Sequence, residues 1–270
     1  MPKSASKLIK PEIVLRDIPA NLGLEARYRR ALQLLLRDMA VDIRKRLKRA
    51  YRPARERLAL DAHAMDDDPV VSLRTLLRHL AIRWQRRFDR MAKDIAEDFA
   101  TRAQGDLDFA FRKRLKEAGF TVRFRPTEHM VSAYRAVVAE NVALIRSVPH
   151  QFLKDVEGAV WRSALKGGGA YELSTEIRAK YGISARRAAF IASDQGAKAR
   201  TTFEQSRRSE LGIKFAVWKH SHAGKIPRPT HVKMDGQRFE IAKGMWDPEV
   251  GQWIQPGYLP RCRCTSRAVI

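Results

Sequence analysis

The 270 residues include only two cysteines, Cys262 and Cys264, set one residue apart. That spacing is poor for bridging distant elements, so no disulfide framework is expected and a reducing cytoplasm fits best. Nowhere do about 18 uncharged apolar residues run together, so no membrane span is expected. The opening MPKSASKLIKPEIVLRDIP carries no apolar stretch long enough for a secretory signal. Acidic residues are scarce: 30 Asp and Glu face 53 Lys and Arg, a formal +23. Such a surplus repels itself unless polyanions or acidic partners neutralise it, and nucleic acid is the first partner to consider. Charge supplies phosphate attraction but no base-specific readout, so non-specific binding is expected. Aromatic residues make up 8% of the chain and charged residues 31%, which points to a modest core and long solvated helices. No internal repeat and no low-complexity tract is present.

What the chain does have is helical rhythm. Residues 1–22, with Pro2, Pro11 and Pro19, read as an extended arm able to drape over a neighbouring subunit. Leu24, Tyr28, Leu32, Leu35, Met39, Ile43 and Leu47 then recur every three or four residues, the signature of an amphipathic helix. From Arg27 to Arg57 twelve basic residues outnumber three acidic ones, a net +9 and the densest positive segment of the chain. Arg27, Arg30, Arg37, Arg44, Lys45, Lys48, Arg49 and Arg52 are its candidate phosphate contacts.

A turn is expected at Asp66, Asp67, Asp68 and Pro69, followed by a second long helix through Leu73, Leu77, Leu80, Trp84, Phe88, Met91, Ile95 and Phe99. The stripe of Trp84, Phe88 and Phe99 reads as core packing. Gly119 should end a further short helix, residues 121–126 form an extended piece, and a helix from Met130 to Ile145 should stop before Pro149 and resume over 151–165. Gly167, Gly168 and Gly169 break the pattern, and no P-loop context surrounds them. A short helix over 171–180 should halt at Gly182, with Ser184 capping a long Ala-rich helix. Ile213, Phe215 and Val217 read as a strand. The expected class is mainly α, with long amphipathic helices followed by a small α+β, loop-rich C-terminal module.

The tail presents its motifs in an unusual order: Trp218; Arg228, Pro229 and His231; Met234, Asp235 and Gly236; then Pro256, Gly257, Pro260, Cys262, Arg263 and Cys264. This order resembles the Mu F-like phage head-morphogenesis family, which has a Trp-bearing strand, an R-P-x-H, an Asp-Gly turn, a Pro-Gly segment and a terminal C-R-C. The resemblance covers about residues 155–270, and C-R-C with R-P-x-H is specific as a pair. One departure is expected: where relatives carry an Ala-Arg-Thr-Glu-like stretch, this chain is read as having Ile191, Ala192, Ser193, Asp194 and Gln195. The organisation is therefore an arm over 1–22, a helical domain over 23–150 and a Mu F-like domain over 151–270.

His231, Cys262 and Cys264 are residue types that bind zinc, with His220 or His222 as a fourth ligand and Asp235 as a weaker oxygen donor. Two other readings stand beside a structural zinc. In one, the cysteines are small buried hydrophobes and His231 bonds a carbonyl. In the other, Cys and His form a nucleophilic pair. Asp235 and Gly236 are expected to form a hairpin turn between strands holding Val232, Met234, Phe239 and Ile241. Trp218, Trp246 and Trp253 are expected to build a small core.

The resemblance implies a non-enzymatic minor capsid protein of a tailed bacteriophage. It would act inside the head at the portal and capsid, first met in the host cytoplasm and then in the virion. Portal protein, major capsid protein and genomic DNA are the implied partners, with no membrane. The competing reading is a nucleic-acid-binding, metal-dependent nuclease that uses the tail's His and Asp residues.

Overall fold

The computed structural model describes residues 12–59, 69–166, 169–222 and 226–270, with side chains outside the description at 51–59 and 69–70. The apolar rhythm of the first half becomes three helices, α1 (Leu22–Ala59), α2 (Pro69–Glu117) and α3 (Glu128–Leu165), followed by α4 (Ala170–Glu210). The tail supplies β1 (Phe215–Lys219), a one-turn helix α5 (Pro229–Met234), β2 (Arg238–Glu240), β3 (Met245–Asp247), β4 (Gln252–Ile254) and β5 (Thr265–Val269). The protein is mainly α with a small sheet-bearing C-terminal region, as its sequence predicts.

The helices run further than their punctuation suggests. α2 continues unbroken to Glu117, so no separate short helix precedes Gly119. Gly119 itself stands at φ +90°, and the Phe120 amide reaches back to the Leu115 carbonyl at 2.8 Å, closing the helix end. α3 passes through Pro149 where a stop was expected. The missing amide costs about 3 kcal/mol, but Ile145, Val148, Phe152 and Val156 are buried on both sides of it and hold the helix together. α4 likewise crosses Gly182 without stopping, because Ile177, Ala188 and Ile191 bury one continuous stripe. The expected turn at Asp66 to Asp68, and Gly167 and Gly168, lie outside the described residues.

The chain forms two compact units. The helical unit comprises Leu22–Arg102 and Arg135–Gln195. Its core holds Leu32, Leu36, Met39, Ile43, Trp84, Phe88, Phe99 and Phe152, all nearly inaccessible to solvent. Trp84, Phe88 and Phe99 thus pack as expected. Buried polar groups are paired: the Tyr28 hydroxyl donates to Asn141 Oδ1 at 2.8 Å, and Asn141 Nδ2 donates to Gln195 Oε1 at 3.0 Å.

The second unit comprises the first 21 residues, Ala103–Tyr134 and Gly196–Ile270. Its sheet has the order β2-β1-β5, antiparallel throughout, with Ala216 opposite both Phe239 and Ala268. The described part of the arm closes the free edge of β5: Ile13 exchanges two backbone bonds with Ile270 at 2.8 and 2.9 Å, and the Leu15 amide reaches the Ala268 carbonyl at 2.9 Å. Residues 12–15 therefore lie along their own chain's β5. Pro2 lies outside the described residues, as does Pro11.

Candidate metal centre

The one-turn helix α5 exists because Pro229 occupies its first turn, where no amide is needed. That turn points His231 and Met234 inward. At the other end of the module, Arg261 adopts φ +63° and Cys262 bonds back to the Leu259 carbonyl at 2.9 Å, so both cysteines turn to the same side just before β5. The result is one cluster. His231 Nδ1 lies 3.4 Å from Cys262 Sγ and 3.7 Å from Cys264 Sγ, and all three residues are buried. Their donor atoms lie within 4.8 Å of one another.

The surroundings of the cluster are polar by construction. His231 Nε2 faces Asp247 Oδ2 at 3.3 Å, and Asp247 is wholly inaccessible to solvent. The Gly257 amide donates to Cys262 Sγ at 3.3 Å, with Gly257 held at φ +86°. The buried Trp218 ring packs edge-on to His231 at 5.4 Å. The Cys264 thiol donates toward Cys262, and this bond, joined by His231, holds the Cys262 thiol far below its ordinary range at about 4 in spite of burial. The same pairing and burial push Cys264 upward.

The remaining predicted ligands stand elsewhere. His220 Nδ1 accepts the His222 amide at 3.3 Å, and the His220 amide donates to Asp235 Oδ1 at 2.8 Å. His222 faces Asp235 Oδ2 at 3.6 Å and is 70% exposed. Among the described residues, no fourth His, Cys, Asp or Glu joins His231, Cys262 and Cys264. Asp235 and Gly236 do form a tight turn, with Gly236 at φ +76° and the Gln237 amide bonding Met234 O at 3.0 Å. It joins α5 to β2 rather than two strands, because Val232 and Met234 belong to the helix. Only Trp218 of the three tryptophans is core. Trp246 and Trp253, paired across β3 and β4 with centroids 5.9 Å apart, are each 49% exposed. A two-stranded hairpin has one face to bury, and these side chains occupy the other.

Sequence reasoning missed the residues that fasten this centre to α4. The Ala-Arg-Thr-Glu-like run is present after all, as Ala199, Arg200 and Thr201 with Glu204, one to two turns beyond the segment at 191–195. Arg200 Nη2 donates to the Cys264 carbonyl at 2.8 Å and Thr201 Oγ1 to the Pro256 carbonyl at 2.6 Å. Arg208 is ion-paired with Glu204 and donates to Ser266 Oγ at 2.8 Å. Arg228, of the R-P-x-H motif, donates to the Pro260 carbonyl at 2.9 Å. An alternation of Arg with small residues on a helix next to a Cys-rich strand was the available signal. Asp247 offered none.

The basic helix is a separate surface in the helical unit. Arg30, Arg37, Lys45, Lys48 and Arg49 are solvent-exposed, Arg44 is half-buried, and Arg27 pairs with Asp98 at 3.2 Å. The side chain of Arg52 lies outside the description. A hollow of about 240 Å³ brings Arg37, Arg44 and Arg178 around Val41, Ile177 and Tyr181.

The features now in place define a class: a helical protein ending in a small Cys/His-centred module. Residues 154–267 match the family described as phage Mu protein F like protein. The chain is also 26% identical over 261 residues to an uncharacterized protein of Haemophilus influenzae, a match covering 94% of this chain and 55% of that protein. It therefore spans about half the length of that relative. No solved structure matches the chain.

Proposed function

We propose that this chain is a minor capsid protein of a tailed bacteriophage. It acts inside the head where portal protein meets major capsid protein, and assists head assembly and the packaging or ejection of DNA. The observation that carries the reading is the Mu F-like match over residues 154–267.

Physical features of the rest of the chain support it. A protein working beside densely packed DNA must tolerate a high concentration of phosphate, and a net +23 is suited to that setting. The exposed cations of α1 offer a stripe of positive charge to phosphates, which fits genomic DNA as a non-specific partner. No described helix is long and apolar enough to cross a membrane. A structural role is favoured over a nuclease at the His231 cluster, where the one carboxylate beside the imidazole, Asp247, is fully buried and closed to a phosphodiester.

The test is to locate the protein by cryo-electron microscopy of intact phage heads. Density for it on the inner side of the portal vertex, in few copies, is the expected result. Its absence from purified virions, together with metal-dependent cleavage of plasmid DNA abolished by His231→Ala, would replace this reading with the nuclease.

A further inference from the structure

We propose that His231 Nδ1 and the thiolates of Cys262 and Cys264 bind one zinc ion, with the Asp247 carboxylate holding the opposite nitrogen of the imidazole. Four observations converge on this site. The first is the spacing of the donors. Zinc bonds of about 2.3 Å to sulfur and 2.05 Å to nitrogen, at tetrahedral angles, place N and S about 3.5 Å apart. His231 Nδ1 lies 3.4 Å from one sulfur and 3.7 Å from the other. A hydrogen-bonded cluster has no reason to set one nitrogen, with one lone pair or one proton, nearly equidistant from two sulfurs.

The second is the orientation of the imidazole. Asp247 Oδ2 lies 3.3 Å from Nε2 in a spot without solvent, and neither atom makes a hydrogen bond to any partner. With zinc bound, a buried carboxylate there favours the proton on Nε2 and leaves Nδ1 as a lone pair, the form that a metal-ligating histidine takes. The third is the treatment of the sulfurs. The Gly257 amide donates to Cys262 Sγ at 3.3 Å, and this approach requires the glycine: a Cβ at 257 would meet Arg200 Nη2 and Thr201 Oγ1, each at 3.0 Å. A backbone N–H aimed at sulfur favours thiolate over thiol. The fourth is chemical softness. Two thiolates and an imidazole select zinc over magnesium or calcium, which want oxygen ligands.

Three protein donors leave the fourth tetrahedral position to a water molecule or a partner's side chain. His220 and His222 are bonded to each other and to Asp235 instead.

The experiment uses the full chain, purified reduced and without chelator. Elemental analysis should find about one zinc per chain. Replacement by cobalt should give a near-ultraviolet thiolate-to-cobalt charge-transfer band together with the visible absorption of a tetrahedral ion. Asp247→Asn, which keeps the shape and removes the charge, should weaken zinc binding about 10- to 100-fold while the helical circular dichroism stays unchanged. Cys264→Ser removes one of the two thiolates and should weaken the charge-transfer band, and should that variant fail to fold, Asp247→Asn still decides. Zinc far below stoichiometry with no cobalt band on titration would overturn the proposal. So would full zinc occupancy in His231→Ala, or copper or iron in place of zinc.

Discussion

Replacing Arg207 by alanine tests whether part of the chain's positive charge is architectural. The Arg207 side chain is 3% exposed. It meets both oxygens of Asp108 at 2.7 Å, Glu210 Oε2 at 2.7 Å and the Arg125 carbonyl at 2.8 Å, and lies over the Phe124 ring at 4.5 Å. Its loss leaves two carboxylates, each 16% exposed, without the guanidinium that they share. Breaking a buried pair from one side costs about 3–5 kcal/mol. Because both carboxylates keep some access to water, the expected loss is near the lower end, about 3 kcal/mol. In an Asp108→Ala background the same replacement should cost about 1–2 kcal/mol less, the coupling typical of groups in one network. Arg207→Lys should fall between, since an ammonium keeps the charge but loses the planar two-pronged contact. Chemical denaturation followed by circular dichroism gives the totals, and hydrogen exchange over 120–126 and 205–213 shows whether the loss is local. A penalty below about 1 kcal/mol, or one unchanged when Asp108 is already gone, would refute the reasoning.

Three further outcomes follow from other parts of the molecule. Binding to duplex DNA should weaken linearly in log affinity against log salt, with the slope falling by about 0.9 for each of Arg30, Arg37, Lys45 and Lys48 reversed to Glu; a strong preference for one sequence at constant salt would contradict this. Burial alone would raise the Asp17 carboxyl, but hydrogen bonds from Lys219 and Thr265 outweigh it and hold it below its ordinary value. A depressed carboxylate stabilises above its unfolded value of about 3.9 and loses that contribution as pH falls through the lower folded value. Protection of the Ile13 and Leu15 amides relative to their intrinsic exchange should therefore hold at neutral pH and fall only in acid, and release of the arm between neutrality and mild acidity would count against the Asp17 anchor. Gly244→Ala should cost at least about 2 kcal/mol, because Gly244 sits at φ +82° and a Cβ there would lie 2.3 Å from the Ile254 carbonyl oxygen. Gly105→Ala, with nothing within 4 Å, should instead gain about 0.5–1 kcal/mol; equal melting temperatures for the two variants would discredit the turn argument.

The helices were readable in the sequence because their apolar residues recur at one period over tens of residues, so Leu32, Trp84 and Phe88 announced the core before any fold was known. Helix ends were less so. Pro149 and Gly182 are ordinary stop signals, and only the burial of Phe152, Ile177 and Ala188 explains why the helix continues past each of them. The convergence of His231 with Cys262 and Cys264 was readable from residue type, since few other pressures place those three in one small module. Asp247 was not, because an aspartate between Trp246 and Pro248 looks like a loop residue until β3 carries it beneath the imidazole. The arginines mislead most. Arg200, Arg207 and Arg208 count toward the net +23, yet they are 7%, 3% and 2% exposed and are spent inside the protein on carbonyls and carboxylates. The charge available to a polyanion is smaller than composition implies.

The module around His231 is too lean to hold itself by apolar burial alone. Its strands are three to five residues long, and much of residues 220–264 is turn and loop. Small cores of this kind need fastening. Two kinds of fastening are visible, and they act on different segments. Arg200 and Arg208 tie α4 to the backbone at Cys264 and Ser266, reinforcing β5 and its partner β1. The His231, Cys262 and Cys264 cluster instead closes the excursion between α5 and β5, a span of 33 residues. If zinc sits in that cluster, its binding energy is folding energy for this excursion. Chelation should then raise hydrogen exchange across 229–262 while β1 and β5, held by five paired residues and the arginines, keep their protection. Uniform loss of protection across the sheet would show that the cluster and the arginine ties form one cooperative element. Unchanged exchange throughout would mean that the hydrogen bonds of Cys262 with His231 and Gly257, each contributing about 1 kcal/mol, are enough to hold the excursion in place.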